Sequence, residues 1–182
     1  DALVTQGGLT SGVRALVHAG GSGVGTASTQ IVKAIGAQVA VTCSRNKVDP
    51  CPELGADLVV DYNEQDFVEE IALWTQDQGV DVVLDVIGGD YLAKNLQCLK
   101  IQGRIIQVGA MGGPVASFAL GALLPKRASL IGTVLRSRPI EQKIEANQRF
   151  VTELLPRFED GSLKPVIDSR YPLADIAAAH TY

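Results

Sequence analysis

The chain has 182 residues, of which 46% are hydrophobic and 20% charged, with a formal net charge of −4. This length and apolar content suit one α/β domain with a substantial core, and mild acidity gives no reason to expect nucleic acid or an anionic membrane as a partner. No apolar run is long enough to span a membrane, and no signal-peptide pattern opens the chain. The three cysteines are scattered and suggest neither a zinc site nor disulfides, which favours a reduced, cytoplasmic setting.

The first predicted strand, Val13 to Ala19, runs directly into a glycine-rich turn and then a helix that Gly36 ends. Apolar side chains recur along this helix at close to helical spacing and form a stripe: Val24, Ala27, Ile31, Ala34 and Ile35. A glycine turn that enters a helix leaves backbone N–H groups free to bind an anion. We therefore expect a cofactor pyrophosphate to bind at Gly20, Gly21, Ser22, Gly23 and Val24.

Other glycine-rich motifs fit this turn poorly. A P-loop would need lysine after Gly25, where Thr26 stands, and a nucleophile elbow would need glycine at Val24. The fingerprint of dinucleotide-binding folds fits as Gly20-x-Ser22-x-x-Gly25, with serine replacing the second glycine. A tight turn that binds no ligand is the remaining alternative.

The residues after the second predicted strand, Gln38 to Cys43, indicate which dinucleotide binds. Proteins that bind NAD carry Asp or Glu there for the ribose hydroxyls, whereas this chain has Ser44, Arg45 and Lys47. A carboxylate would repel the 2′-phosphate of NADP, and these cations attract it. The segment therefore predicts NADPH, with a solvated basic loop as the alternative.

Strand and helix patterns continue to alternate along the rest of the chain, although Pro50 and Pro52 leave at most a short helical turn before the third strand. The further predicted strands are Ala56 to Tyr62, Val80 to Ile87, Arg104 to Val108 and Ala128 to Leu135. The predicted helices are one capped by Asn63 with a core face of Phe67, Ile71 and Trp74, one with the stripe Leu92, Leu96 and Leu99, and a long one from Pro139 to Gly161 whose inward residues are Ile140, Ile144, Val151, Leu154, Leu155 and Phe158. This alternation predicts an α/β fold with a doubly wound, six-stranded parallel Rossmann sheet in the order 3-2-1-4-5-6.

No residues stand out as catalytic groups or metal ligands. His18 is interpreted as a packed strand residue, and Asp85 as an acceptor for the Gly88-Gly89 turn. Asp81 lies too far along the same strand face to share a proton with Asp85. A basic cluster either forms a solvated rim or helps to hold the cofactor phosphates: Lys126, Arg127, Arg136 and Arg138.

Several longer segments resemble the cofactor-binding part of the zinc-free medium-chain dehydrogenase/reductase superfamily. Within it, the chain is most similar to the NADPH-dependent quinone oxidoreductases and the p53-inducible quinone reductase group. The segments that carry this resemblance are 18–25, 54–57, 85–91, Lys94-Asn95, 111–113 and 135–139. The resemblance covers nearly the whole chain and implies that residues 1–182 form one NADP(H)-binding domain.

The resemblance also implies roles for particular residues. Ser44, Lys47 and Tyr62 are expected to reach the 2′-phosphate side of NADPH, while backbone at two pairs of residues approaches the nicotinamide: Val108 and Gly109, and Leu135 and Arg136. Full-length members of the family carry an N-terminal GroES-like domain and a final C-terminal strand. Neither has a counterpart in this chain, so an excised domain that shows little turnover alone is expected.

The function expected from these observations is that of the NADPH-binding domain of a quinone or enone reductase, in which hydride passes to a carbonyl-conjugated acceptor. A non-catalytic NADP(H)-binding sensor module is the alternative, since no acid–base constellation is evident. A methyltransferase is disfavoured because it too usually carries an acidic residue where Ser44 stands. The sixth strand, 128–135, is apolar and lies at a sheet edge, which predicts a homodimer through that strand, as the resemblance also does.

Overall fold

The computed structural model describes residues 1–182 and contains one six-stranded, wholly parallel sheet in the order β3-β2-β1-β4-β5-β6. The strands are β1 (Arg14–His18), β2 (Gln38–Cys43), β3 (Leu58–Asp61), β4 (Val80–Asp85), β5 (Leu99–Gln107) and β6 (Ser129–Gly132). The predicted fold class and strand order are confirmed. The central strands are nearly continuous apolar runs because helices cover both of their faces.

Eight α-helices connect or flank the strands. They are α1 (Gly23–Ile35), α2 (Pro50–Glu53), α3 (Phe67–Thr75), α4 (Tyr91–Cys98), α5 (Leu123–Lys126), α6 (Ile140–Glu153), α7 (Leu155–Glu159) and α8 (Ile176–Thr181). A short π-helical segment, Ala2–Gln6, precedes β1, and 3₁₀ turns occupy Arg45–Lys47, Leu120–Ala122 and Leu173–Asp175. None of these helices combines the length and the apolar character needed to cross a membrane.

Two hydrophobic clusters, one for each set of alternating strand residues, form the core. The first joins Val17, Val41 and Leu84 with Val32 of α1 and Leu3 of the N-terminal segment. The second contains the opposite strand residues, together with Phe67 and Ile71 of α3 and Leu92 and Leu96 of α4. The sheet is thus covered on both faces, and its carboxyl edge lies between the two layers, where ligands bind in doubly wound folds.

Several predicted element boundaries were wrong. Helix α3 begins after Asp66, whose carboxylate accepts the Val68 N–H at 2.9 Å, and not after Asn63, which bonds to Asp61. Leu99 opens β5 and does not belong to α4. Strand β6 is four residues long, because Thr133 makes the last bond to β5 before the chain turns away.

Helix α1 buries the predicted apolar stripe only in part: Val24 and Ala27 are exposed, whereas Ile35 is half-buried and packs against the first core cluster. Its buried residues are mostly small or hydroxyl-bearing, and Val32 is the one large apolar residue among them; the others are Gly25, Thr26, Ser28 and Thr29. The Thr29 hydroxyl donates to the Gly25 carbonyl at 2.9 Å, so it is buried without an unmet polar group. Small side chains let α1 lie close to the sheet, which leaves Val24 and Ala27 on its exposed side.

The long C-terminal helix is divided in two and does not bury its apolar stripe. Pro156 cannot donate a backbone hydrogen bond, and the helix is interrupted at Leu154, between α6 and α7. The predicted inward residues Ile140, Ile144, Val151, Leu155 and Phe158 retain between 37% and 62% of their surface exposed. The 3.6-residue period correctly marked an apolar stripe, but this stripe does not face the sheet.

Candidate functional site

The glycine turn places the start of α1 at the carboxyl edge of the sheet. Ser22 is the N-cap of α1, and its hydroxyl oxygen accepts the Gly25 N–H at 3.0 Å. Serine is a preferred capping residue, which accounts for its presence where the fingerprint has a second glycine. The cap uses the Gly25 N–H and leaves those of Gly23 and Val24, the first two helical residues, without intrahelical partners.

Two glycines of this turn are required by close packing, and a third is open to solvent. A Cβ atom on Gly20 would lie 2.6 Å from the Cβ of Val41, and one on Gly25 would lie 2.1 Å from the Ala19 carbonyl oxygen. Gly23 has no atom within 4 Å of that position. The turn is therefore tightly packed at Gly20 and Gly25 and open at Gly23, which leaves room for an anion at the start of α1.

Lys47 lies directly beside the glycine turn. A Cβ atom on Gly21 would come within 2.7 Å of both the Cβ and the Cδ atoms of Lys47. The contact brings an ammonium-bearing side chain, from the 3₁₀ turn after β2, to the N-terminal end of α1. No acidic side chain follows β2 before this lysine.

Ser44 and Tyr62 follow neighbouring strands at the same sheet edge. Cys43 is paired in register with Asp61, so the residues after them, Ser44 and Tyr62, lie side by side, and the Tyr62 N–H donates to the Cys43 carbonyl at 3.2 Å. The Tyr62 side chain is 46% exposed. The Ser44 hydroxyl donates to Asn46 Oδ1 at 2.6 Å, so it is engaged within its own loop.

Two buried thiols support this loop from below. Cys51 Sγ donates to the Lys47 carbonyl at 3.1 Å, and Cys43 neighbours Cys51 in the same core cluster. Burial, its largest cause, raises the pKa of the Cys43 thiol to about 12. Both groups therefore act as neutral packing residues that fix the lysine-bearing turn.

An apolar cleft of about 420 Å³ extends from the glycine turn along the ends of β4 and β5. Its lining near the turn is formed by Val24, Val86, Val108, Gly109 and Met111. The Gln107 amide donates to the Gly109 carbonyl at 2.6 Å and to the Asp85 carbonyl at 3.2 Å, and the Met111 N–H donates to the Val86 carbonyl at 3.2 Å. The two strand ends are thus joined into a common wall.

Leu135 and Arg136 lie in the turn after β6 and do not line this cleft. The structure therefore brings Val24, Val108 and Gly109 together and leaves this pair apart. Two members of the predicted basic cluster have structural partners: Arg138 pairs with the Asp1 carboxylate at 2.8 Å, and Lys126 donates to the carbonyls of Gln97, at 2.9 Å, and Leu99. Burial lowers the pKa of Lys126.

Asn95 is a functional candidate that the sequence analysis missed. It is fully buried, and its amide donates to Asp85 Oδ2 at 2.9 Å while its oxygen lies 2.7 Å from His18 Nε2. His18 is packed within strand β1, in agreement with its sequence interpretation. Asp85 Oδ1 accepts from Ile87 and Gly88, close to the turn predicted for it. The available signal was an amide within the apolar stripe of α4, between Leu92 and Leu96.

The chain offers no cluster suited to a metal ion. No group of three or more His, Cys, Asp or Glu side chains is placed to hold one. The three cysteines are buried free thiols, and burial raises the pKa of Cys98, like that of Cys43, to about 12. A thiolate ligand is disfavoured in such surroundings.

Comparison with known proteins gives consistent similarities. A protein-family model described as "Zinc-binding dehydrogenase" matches residues 23–152. The chain is 31% identical over 180 residues to human quinone oxidoreductase, covering 98% of this chain and 53% of that protein. It therefore spans about half the length of the curated relatives it matches.

Solved structures show the same relationship. The structure of Escherichia coli quinone oxidoreductase complexed with NADPH superposes with a TM-score of 0.80 and 29% identity, covering 98% of this chain and 56% of that one. A 2-haloacrylate reductase superposes with a TM-score of 0.84 and 29% identity, covering 99% and 56%.

Proposed function

This chain belongs to the zinc-binding dehydrogenase family, and we propose that it is the NADPH-binding domain of a quinone-type reductase. The observation that carries the proposal is the contact between Lys47 and Gly21 at the start of α1. It sets the stem of a cationic side chain beside a turn suited to a pyrophosphate, in a loop that has Ser44 where NAD-binding folds have a carboxylate.

The phosphate end of the cofactor would be held by groups of two kinds. The N–H groups of Gly23 and Val24 would bind the pyrophosphate, and Lys47 would bind the 2′-phosphate as a charge-assisted donor. Tyr62 and Ser44 would border that phosphate from the neighbouring strand ends. Because Lys47 is exposed, salt screens its attraction, and we expect the preference for NADPH to weaken as ionic strength rises.

The nicotinamide end would lie in the apolar cleft. Val24, Val108 and Gly109 line it, and the Gln107 amide holds the Gly109 carbonyl in place. When bound, NADPH supplies the hydride, and the side chains of this chain orient the ring and exclude water from one of its faces. Leu135 and Arg136, which lie outside the cleft, would reach the ring only after a movement of their turn.

The acceptor is proposed to be a quinone or a related enone, in keeping with the names of the relatives. Met111 is 71% exposed at the cleft, and we propose that the acceptor side of the nicotinamide faces this open side. We propose that a further domain, of the GroES-like kind, closes this side in the complete enzyme. A non-catalytic NADP(H) sensor remains the second candidate, because the cleft contains no acid–base pair.

The family description mentions zinc, but the residues of this chain do not provide a zinc site. In keeping with the resemblance to the zinc-free members of the superfamily, we propose a reductase that works without zinc. The three unpaired thiols fit the reducing cytoplasm, which we propose as its compartment.

We also propose a homodimer through β6. The strand lies at the edge of the sheet, with no neighbour on its outer side, and Leu130 is 41% exposed there. An uncovered apolar edge strand pairs readily with another strand, and a second copy about a two-fold axis supplies one. Segment 128–135 was the predicted contact, of which Ser129–Gly132 is the strand itself.

The cofactor assignment is tested by isothermal titration of wild type and Lys47→Ala with NADPH and NADH. We expect wild type to favour NADPH by about 1–3 kcal/mol, the range of charge-assisted hydrogen bonds, and the variant to lose most of that preference without losing NADH affinity. The matched control is Lys164→Ala. Lys164 is an exposed lysine whose backbone bonds the Gln30 side chain of α1. Equal affinities of wild type for the two cofactors would refute the phosphate assignment.

A further inference from the structure

A chain of hydrogen bonds between buried side chains runs beneath the candidate cofactor site. Thr42, His18, Asn95 and Asp85 lie on β2, β1, α4 and β4, and each is at most 1% exposed. The links are Thr42 Oγ1 to His18 Nδ1 at 2.9 Å, His18 Nε2 to Asn95 Oδ1 at 2.7 Å, and Asn95 Nδ2 to Asp85 Oδ2 at 2.9 Å. A row of four fully buried polar side chains destabilises a fold unless each of their hydrogen-bonding groups has a partner.

The chemistry of its last member fixes the direction of two bonds in this network. The Asp85 carboxylate accepts the N–H groups of Ile87 at 2.6 Å and Gly88 at 2.9 Å, so Asn95 must donate to it through its amide nitrogen. The Asn95 oxygen then faces His18 and accepts from Nε2–H. Because burial disfavours a second proton on the ring, His18 Nδ1 accepts the hydrogen bond of the Thr42 hydroxyl.

This assignment makes His18 a neutral imidazole with its proton on Nε2. Burial is the main cause that lowers the pKa of His18, opposed by its bond to Asn95 and by the nearby Asp85 charge. The other groups packed on the ring are aromatic: Phe67 of α3 and Tyr91 of α4, with ring centroids 5.0 and 4.9 Å away. Burial raises the pKa of Tyr91, and the Lys94 ammonium lies over the Phe67 ring, 5.6 Å from its centroid.

The network touches the ends of β1, β2 and β4. His18 is the last residue of β1, two residues before the glycine turn, and Thr42 lies two residues before Ser44 at the end of β2. Asp85 fixes the turn that follows Val86, which lines the apolar cleft. A single row of bonds therefore connects the phosphate end of the site with its nicotinamide end.

We propose that Thr42, His18, Asn95 and Asp85 are positioning residues that hold the ends of β1, β2 and β4 in the arrangement that binds the dinucleotide. None of them touches the cofactor. Their effect is preorganisation: the loops above them bind without first having to be ordered. The proposal rests on the proposed function in that NADPH is the ligand used to test it.

The bond direction is tested without any ligand, by ¹⁵N NMR of the histidine rings. His180, the other histidine, is removed by His180→Gln to assign the signals. We expect His18 to show the neutral Nε2–H pattern throughout the range from about pH 5.5 to pH 8, in which an unperturbed histidine titrates. A proton on Nδ1, or a charged ring at neutral pH, would overturn the assignment.

The positioning role is tested by comparing two buried threonines. Thr42→Val removes the donor to His18, whereas Thr75→Val removes an equally buried hydroxyl that bonds Ile71 and Gly79 at the far end of α3. We expect Thr42→Val to bind NADPH about three- to tenfold more weakly, as for the loss of one buried hydrogen bond, and Thr75→Val to stay within about twofold of wild type. Thr42→Ser, which restores the hydroxyl, should recover the affinity.

Urea unfolding of each variant separates binding from stability, since both threonine variants are expected to lose stability. Equal NADPH affinity in Thr42→Val and Thr75→Val would refute the positioning role while leaving the proposed function intact. A wild-type chain that fails to bind NADPH would instead refute the proposed function, and the NMR experiment would still decide the bond direction.

Discussion

Replacement of Gly21 by alanine tests the link between the glycine turn and Lys47, the lysine proposed to bind the 2′-phosphate. The added Cβ would lie 2.7 Å from the Cβ and Cδ atoms of Lys47, whereas carbon atoms in contact need about 3.5 Å, so the lysine must retreat by about 0.8 Å. The far end of its side chain is flexible, but the Cβ atom moves only with the backbone of the 3₁₀ turn. The substitution should therefore displace the loop that carries the ammonium group.

We expect Gly21→Ala to weaken NADPH binding by about 1 kcal/mol, or about fivefold, because a charge-assisted bond is strained without being removed. NADH binding should change little, since NADH has no 2′-phosphate. Isothermal titration of both cofactors measures the difference, and Gly121→Ala, at a glycine with no atom within 4 Å of the added Cβ and away from the cleft, is the control. An equal loss for both cofactors would mean that the methyl group blocks the pyrophosphate itself, and the reasoning about Lys47 would be wrong.

Three further predictions concern stability and assembly. Gly25→Ala should destabilise the fold by about 3 kcal/mol or more in urea unfolding, because its Cβ would lie 2.1 Å from the Ala19 carbonyl oxygen, whereas Gly23→Ala should cost little; similar effects of the two would contradict the described approach of α1 to β1. Leu130→Lys, at the uncovered sheet edge, should convert the proposed dimer into a monomer in sedimentation velocity, and a variant that still dimerises would rule out this edge as the interface. Because burial lowers the pKa of His18 in the folded chain, the unfolded chain binds more protons as the pH falls. The free energy of unfolding should therefore decrease below about pH 6.5, by at most about 1.4 kcal/mol per pH unit for this residue. Urea unfolding at several pH values should find a weaker pH dependence in His18→Gln.

Much of the fold could be predicted from sequence because parallel strands covered on both faces are continuous apolar runs. Strands β1, β2 and β4 are of this kind, and the glycine turn marks the junction between β1 and α1. The buried face of α1 could not be predicted, because it consists largely of Thr26, Ser28 and Thr29. Hydroxyl-bearing residues at these positions are typical of a face exposed to solvent. Their bonds to helix carbonyls become visible only in three dimensions.

The candidate site was predictable where residues are adjacent along the chain and less so where they meet through folding. Gly20 to Val24 form one turn, whereas the contact of Lys47 with Gly21 depends on how a 3₁₀ turn folds back. Asn95 lies ten residues beyond Asp85 and 77 beyond His18, so no local pattern links them. The apolar stripe of α6 was correctly read as amphipathic, but periodicity alone cannot specify which surface it faces.

The most direct test of the proposed function is a crystal structure of the chain with NADPH. We predict the pyrophosphate at the N–H groups of Gly23 and Val24, the 2′-phosphate within about 3 Å of Lys47 Nζ, and the nicotinamide against Val24 and Val108 in the apolar cleft. A cofactor bound with its 2′-phosphate away from Lys47, or a cleft that stays empty at saturating NADPH, would contradict it.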